Sequence, residues 1–389
     1  MAASPSANGL LHPQATALQY VGRVAFHANQ ALFQWPLTSV AVAITCPVNG
    51  TRVSALVSGS ERFTRWRLAL GDASSSHSVP SGEHNVSITV PAGGPHTLVL
   101  EHDAECLRCG PSEHWPPFTP LAGEAVIFYG FSFEARHGCI FSSIPKRGLR
   151  KVEAIGDSIT CGFGNGISTA VERAKCSAAS AEAQMLNGPR EYLYDITSSR
   201  NGYVGQLARR FDAMLFVQCI SGIGLCKNGL TIGRTDPYNI SAYVDLTLPF
   251  ASVRSEWDYS KSAWAPDLLL INIGTNDYLF MANAPTPDEF ERAYLALVTK
   301  RMAHYNRSRT KVLLVCGPMV LYHCPFVVNV VTNLSNLGYH AAFANASLPQ
   351  SPKDLNGCAG HPDVAEARAV VDRISVDVEK LMGWTAPSW

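Results

Sequence analysis

The chain has 389 residues, 47% of them hydrophobic and 16% charged, with Lys+Arg and Asp+Glu equal at 31 each. That length exceeds one typical domain and supplies ample material for a buried core. Zero formal net charge and the lack of any clustered basic run argue against nucleic acid or an anionic membrane surface as partner.

Residues 1–18 are small and polar and read as a flexible lead-in. Across residues 19–147, short runs rich in β-branched and aromatic residues (Val40–Thr45, Val53–Val57, Val86–Val90, His96–Leu100, Ala125–Phe133) are separated by turn residues. With no long helical period among them, they predict an antiparallel β-sandwich. Over residues 148–389, apolar strands (Leu268–Gly274, Val312–Cys316) alternate with helical stretches (Asn201–Phe211, Pro287–His304, Asp363–Leu381), which predicts a parallel sheet covered by helices. The Ala-, Ser- and Glu-rich run 167–199 reads as an insertion. Val312–Val331 is the most apolar stretch, but Gly317, Pro318, His323 and Pro325 interrupt it, so a buried strand followed by a loop is expected rather than a membrane span.

The chemistry concentrates in four segments. In Lys151-Val-Glu-Ala-Ile-Gly-Asp-Ser, a short strand ends on Ser158. Gly156, Gly162 and Gly164 around it allow a sharp turn and close approach to a substrate. His361 lies on a glycine-flanked loop before a C-terminal helix, with Pro362 suited to a first turn, and is the candidate base. Gly222 in Ser-Gly-Ile-Gly and Asn276 in Gly-Thr-Asn-Asp supply a backbone N–H and a side-chain amide, the donor types that stabilise charge on a carbonyl oxygen. Gly224 is an alternative to Gly222. Taken singly these are ordinary features: Asn276 and Asp277 suit a helix cap or turn, and Asp157 suits a hydrogen-bonder that holds the serine turn.

Gly-Asp-Ser-Ile-Thr at 156–160, Ser-Gly-Ile-Gly at 221–224, Gly-Thr-Asn-Asp at 274–277 and Gly-His-Pro at 360–362 occur in the order of SGNH (GDSL-type) hydrolases. The chain resembles carbohydrate esterase family 2 in particular, over most of its length, including Gly22-Arg23, the Trp-Asp-Tyr-Ser run from Trp257 and Ala265-Pro-Asp. The resemblance implies an α/β SGNH-hydrolase domain with a flavodoxin-like sheet, preceded by an all-β jelly-roll. It implies acetyl-ester hydrolysis on carbohydrates without cofactor or metal. Ser158 would be nucleophile, His361 base, and the Ser158 N–H, Gly222 and Asn276 the oxyanion donors. Tyr278, beside Asn276, is a candidate substrate contact, with a core position the alternative.

One departure matters. The aspartate that the superfamily places three residues before the histidine is Cys358 here, and two residues before it stands Ala359. Neither side chain orients an imidazole as a carboxylate does. The expectation is a Ser-His dyad in which the Ala359 carbonyl, or one close to it, receives the histidine Nδ1–H.

Other readings are a lipase or thioesterase using the same residues, a carbohydrate-binding protein whose catalysis has lapsed, and a zinc-dependent N-deacetylase suggested by His361-Pro-Asp. The zinc reading lacks evident further ligands. HExxH, P-loop and Gly-x-Ser-x-Gly patterns do not occur. Cys106-Leu-Arg-Cys109 reads as a loop with free or disulfide-linked thiols, and a Cys324–Cys358 disulfide is expected. Eleven cysteines and Asn-x-Ser/Thr sites at Asn49, Asn85, Asn239, Asn306, Asn333 and Asn345 point to an extracellular protein, although the N-terminus shows no signal-peptide pattern. The sugar, the ester position and the oligomeric state are not legible.

Overall fold

The computed structural model describes residues 2–3, 10–105, 126–134, 138–145, 150–176, 193, 195–229, 233–235, 237–250, 255–262 and 264–386. Cys106 and Cys109 lie outside them. Contacts divide the chain into two compact units, the first holding Met1–Cys109, Pro120–Gly148 and Thr247–Ser255, the second the remainder.

The first unit is an antiparallel jelly-roll. Its strands are β1 (Ala2–Ala3), β2 (Leu10–Leu11), β3 (Gln19–Val21), β4 (Ala25–His27), β5 (Gln30–Phe33), β6 (Ser39–Cys46), β7 (Thr51–Leu70), β8 (Ala73–Val90), β9 (Gly93–His102), β10 (Val126–Phe133) and β11 (Ile140–Ser142). They run in the order β1-β11-β6-β9-β7-β10-β5-β4, with β2, β3 and β8 paired to β10, β6 and β7. Alternate positions of these strands build a core of Phe33, Val40, Val42, Trp66, Leu68, Leu100, Phe128, Phe131 and Phe141. A Cys46–Cys139 disulfide closes it. The β7–β8 hairpin is far longer than the runs 53–57 and 86–90 foretell, because the serine-rich Ser74–Ser78, with His77 among them, pair with β7 although none of their side chains is apolar.

The second unit carries β12 (Arg150–Gly156), α1 (Ser158–Cys161), α2 (Tyr203–Arg210), β13 (Ala213–Cys219), β14 (Leu268–Asn272), α3 (Thr275–Tyr278), α4 (Pro287–Met302), β15 (Lys311–Cys316), α5 (Cys324–Asn336), β16 (Ala341–Asn345) and α6 (Val364–Met382). Its five parallel strands stand in the order β13-β12-β14-β15-β16. In chain order that is 2-1-3-4-5, the doubly wound arrangement in which ligands bind outside the carboxyl ends of strands 1 and 3. Helix α2 packs with α6, where Arg210 pairs with Asp372 at 2.7 Å, and α4 packs with α5, where Asn329 donates to Glu291 at 2.8 Å. The loop expected after β15 spans only residues 317–323, and helix α5 follows it. Pro325 stands at its start, where a missing N–H costs nothing, so the proline opens a helix rather than breaking one.

Beneath the serine, β12 is anchored by a buried charge network. The Arg301 guanidinium contacts Glu153, Asp245 and the hydroxyl of Tyr259, and Tyr305 donates to Glu153 at 2.5 Å. Tyr259, from the Trp-Asp-Tyr-Ser run, therefore serves this network, donating to Asp245 at 2.9 Å with its ring stacked on His304.

Candidate active site

Ser158 opens α1 directly beyond β12, at the switch point of the sheet. Asp157 caps the helix by accepting the Ile159 N–H at 3.0 Å, the turn-holding use expected of it. Gly156 is required by close approach: a Cβ there would lie 2.1 Å from Thr160 Oγ1 and 2.5 Å from the Asn272 carbonyl oxygen. The serine turn is thereby pressed against β14.

His361 reaches this serine from 203 positions away in the sequence, with Nε2 2.7 Å from Ser158 Oγ. Its Nδ1 lies 2.8 Å from the Cys358 carbonyl oxygen. An acceptor at Nδ1 fixes the proton on that nitrogen and leaves the Nε2 lone pair facing the hydroxyl, the tautomer a general base needs. The Ala359 carbonyl, expected in this role, gives place to that of Cys358. Ala359 has φ 51° and ψ 39°, which bends the chain so that the carbonyl of residue 358 folds back onto the ring, and Ala359 adds only a secondary backbone interaction. Burial draws His361 down to about 4, against the upward pull of the Cys358 and Ala359 acceptors. The ring of Phe163 packs on the imidazole at 4.9 Å between centroids.

Gly222 and Asn276 follow the carboxyl ends of β13 and β14, the two strands that flank β12. Asn276 Nδ2 donates to the Ile223 carbonyl at 2.8 Å, so one amide proton ties the two loops together and the amide plane is set. Gly224 N–H donates to Asn228 Oδ1 at 3.0 Å, which commits it and favours Gly222 as the donor of this loop. Gly222 has φ 79°. Tyr278 takes the core alternative: it is 3% exposed, with its ring enclosed by Phe290, Tyr322, His323 and Phe326, and so offers no face to a substrate.

Two further residues hold the site together. The carboxylate of Asp277, fully buried, accepts the N–H groups of Leu225, Cys226 and Lys227 at 2.8, 2.6 and 3.1 Å, clamping the Gly222 loop to the Asn276 turn. Burial raises its pKa to about 6, opposed by those three N–H groups and Lys227. Glu366 closes a capping box with Asp363 and also accepts the Asn356 N–H at 2.9 Å, bracing both ends of the histidine loop. The Asp-x-x-Glu spacing at 363–366 signals that box in the sequence. Asp277 leaves no such signal, since its three partners lie 50 to 52 positions upstream.

Three of the disulfides among the described residues tie the loops of this unit. Cys161–Cys219 joins the serine turn to the end of β13, Cys316–Cys324 closes the loop after β15, and Cys176–Cys358 joins the segment after Ser158 to the histidine loop. The expected Cys324–Cys358 pair is thus replaced by two others. Cys324 is taken by Cys316, only eight positions away, and Cys358 pairs with Cys176 across 182 positions of sequence. Of the run 167–199, the described flanks adjoin this loop system: Gly166 N–H donates to the Ile196 carbonyl at 2.7 Å and Arg173 to Asn356 Oδ1 at 2.8 Å. Among the described residues, no group of three or more His, Cys, Asp or Glu is arranged to hold a metal ion. No described helix is long and apolar enough to cross a membrane.

The family model for GDSL-like lipases/acylhydrolases matches residues 152–359, more than half of the chain. The chain belongs to that family. It is 29% identical over 298 residues to the cellulase/esterase CelE of Acetivibrio thermocellus, a match covering 75% of this chain and 31% of CelE. It therefore spans under a third of that relative. An acetylxylan esterase/glucomannan deacetylase of Cellvibrio japonicus is 25% identical over 250 residues, 62% of each protein. A family two carbohydrate esterase from Clostridium thermocellum, solved with cellohexaose, superposes with a TM-score of 0.75 at 25% identity, covering 95% of this chain and 100% of that one.

Proposed function

We propose that the chain is a carbohydrate esterase that removes O-acetyl groups through a Ser158–His361 dyad and an acetyl-enzyme. The observation that carries this reading is the 2.7 Å approach of His361 Nε2 to Ser158 Oγ, with Nδ1 held by a carbonyl. His361 takes the hydroxyl proton as Ser158 Oγ attacks the acetyl carbonyl, and the tetrahedral oxyanion is received by the N–H groups of Ser158 and Gly222 and the second amide proton of Asn276. Collapse breaks the bond to the sugar oxygen, which takes the proton from His361. Water then repeats the attack on acetyl-Ser158, giving its proton to His361, and acetate leaves as that proton returns to Ser158. The relatives' carbohydrate esterase activities favour an acetylated polysaccharide or oligosaccharide as substrate. The four disulfides among the described residues favour an oxidising, extracellular setting.

A lipase-like reading has one observation on its side: Leu279, Phe280 and Met281, just past Asn276, are 44, 52 and 54% exposed. Acetate release from acetylated xylan, mannan and chitin oligomers, with p-nitrophenyl esters of rising chain length in parallel and EDTA present throughout, separates the two. The expected result is acetate release from a glycan and falling rates beyond acetyl. Preference for long acyl chains overturns the carbohydrate reading, and loss of activity in EDTA overturns the serine mechanism.

The acid limb of the reaction provides a second check. Because burial lowers the His361 pKa to about 4, the base form persists at pH values where an ordinary imidazole is already protonated. The kcat/KM profile, which reports the free enzyme, is expected to fall as pH drops through about 4. An acid limb centred at 6.5 or above contradicts a buried, neutral base. The same lowered value means that the unfolded chain takes up this proton first, so the stability His361 contributes is lost as pH falls from 6.5 toward 4.

A further inference from the structure

We propose that the Cys176–Cys358 disulfide is a positioning element for catalysis: it holds the Cys358 carbonyl against His361, at the position where the superfamily carries the triad aspartate. The inference rests on the Ser158–His361 reading and adds what keeps that dyad aligned.

A neutral carbonyl holds an imidazole more weakly than a carboxylate does, since charge-assisted hydrogen bonds are roughly twice as strong as neutral ones. Its hold therefore depends on where the backbone is fixed. The Cys358 carbonyl accepts two N–H groups of the same residue, the His361 backbone at 3.1 Å and Nδ1 at 2.8 Å. The turn that makes this geometry has two successive residues at positive φ, Ala359 at 51° and Gly360 at 72°. A side chain at positive φ is disfavoured, so the turn needs support from outside itself.

That support comes from the segment after the nucleophile. Cys358 N–H donates to the Gly164 carbonyl at 2.9 Å, and a Cβ on Gly164 would lie 2.1 Å from Cys358 Cβ, so the two backbones are in direct contact. Covalently, Cys358 is bonded to Cys176 at the end of the helical residues 170–176, across 182 positions of sequence, and both sulfur-bearing residues are fully buried. The bond thus fixes the acceptor of the base to the same loop system that presents the nucleophile. Free of it, the 359–360 turn relaxes, the imidazole loses its fixed tautomer and plane, and the 2.7 Å approach to Ser158 is no longer held.

The test is the Cys176→Ala/Cys358→Ala double variant, which keeps the Cys358 backbone carbonyl and removes only the cross-link. Its kcat on p-nitrophenyl acetate is expected to fall on the order of tenfold or more with KM unchanged, because misplacement of a catalytic group acts on the chemical step. The low-field proton resonance of His361 Nδ1–H, visible while the hydrogen bond is held, is expected to disappear. The Cys46→Ala/Cys139→Ala variant, which removes a disulfide of the jelly-roll, should retain both signals. A folded double variant with wild-type kcat overturns the inference, while inactivity of Ser158→Ala in the same assay shows that the dyad reading itself survives. Should the double variant fail to fold, the wild-type protein is partially reduced and alkylated, and the modified pairs are mapped by mass spectrometry. Activity loss that tracks modification of Cys176 and Cys358 supports the role; full activity with that pair alkylated overturns it.

Discussion

Ser158→Ala is expected to lower kcat for acetyl-ester hydrolysis by roughly ten-thousandfold to a millionfold, the range seen when a nucleophile that works with a histidine is removed. Loss of one oxygen atom accounts for so much because every later step runs through it. Without Oγ there is no acetyl-enzyme, and the Nε2 of His361 faces an empty position 2.7 Å away. His361→Ala should cost nearly as much, and the double variant little more than either single one, since residues that act as one unit are not additive. Folding is expected to hold: the capping bond from Ile159 N–H to Asp157 and the Cys161–Cys219 disulfide do not involve the hydroxyl. The check is single-turnover kinetics beside a thermal melt. Wild-type turnover in a folded Ser158→Ala protein removes the serine mechanism altogether.

Asn276→Ala is expected to lower kcat by about a hundredfold to a thousandfold, the usual consequence of removing one oxyanion donor. KM should change little, because the amide meets charge that exists only in the transition state. The variant also loses the bond to the Ile223 carbonyl. Asn276→Asp separates the two effects, since it keeps the side chain's shape, lacks the donor and brings negative charge to the oxyanion position. It should be at least as impaired as the alanine variant. If either retained wild-type kcat, Asn276 would be no more than a tie between loops.

How much of this was legible in the sequence follows from how local each cause is. Ser158, Gly222, Asn276 and His361 sit in short motifs whose residue types point to the roles proposed for them, and the alternation after residue 148 gives the layer order of the parallel sheet. The all-β character of the first unit is legible from its turn-punctuated runs, but Ser74–Ser78 carry no apolar alternation, which conceals the extent of the β7–β8 hairpin. Pro325 reads as a breaker from its residue type and as a helix start only once the chain direction around it is known. Asp277 appears as a turn residue because its three amide partners come from another loop. The acceptor for His361 shifts from Ala359 to Cys358 through a left-handed backbone that residue types alone do not specify. Disulfide connectivity is hidden for a general reason: cysteine spacing fixes no pairing, and Cys176 stands in a run with no motif to tie it to the histidine loop.

The claim at the centre is that the hydroxyl of Ser158 is made nucleophilic by His361. Labelling with a fluorophosphonate reagent, followed by peptide mapping, tests it directly. A single adduct on the peptide carrying Ser158, formed in step with loss of esterase activity and much more slowly in His361→Ala, is the predicted result. Inactivation with the adduct on another residue, or full activity with Ser158 stoichiometrically modified, contradicts it.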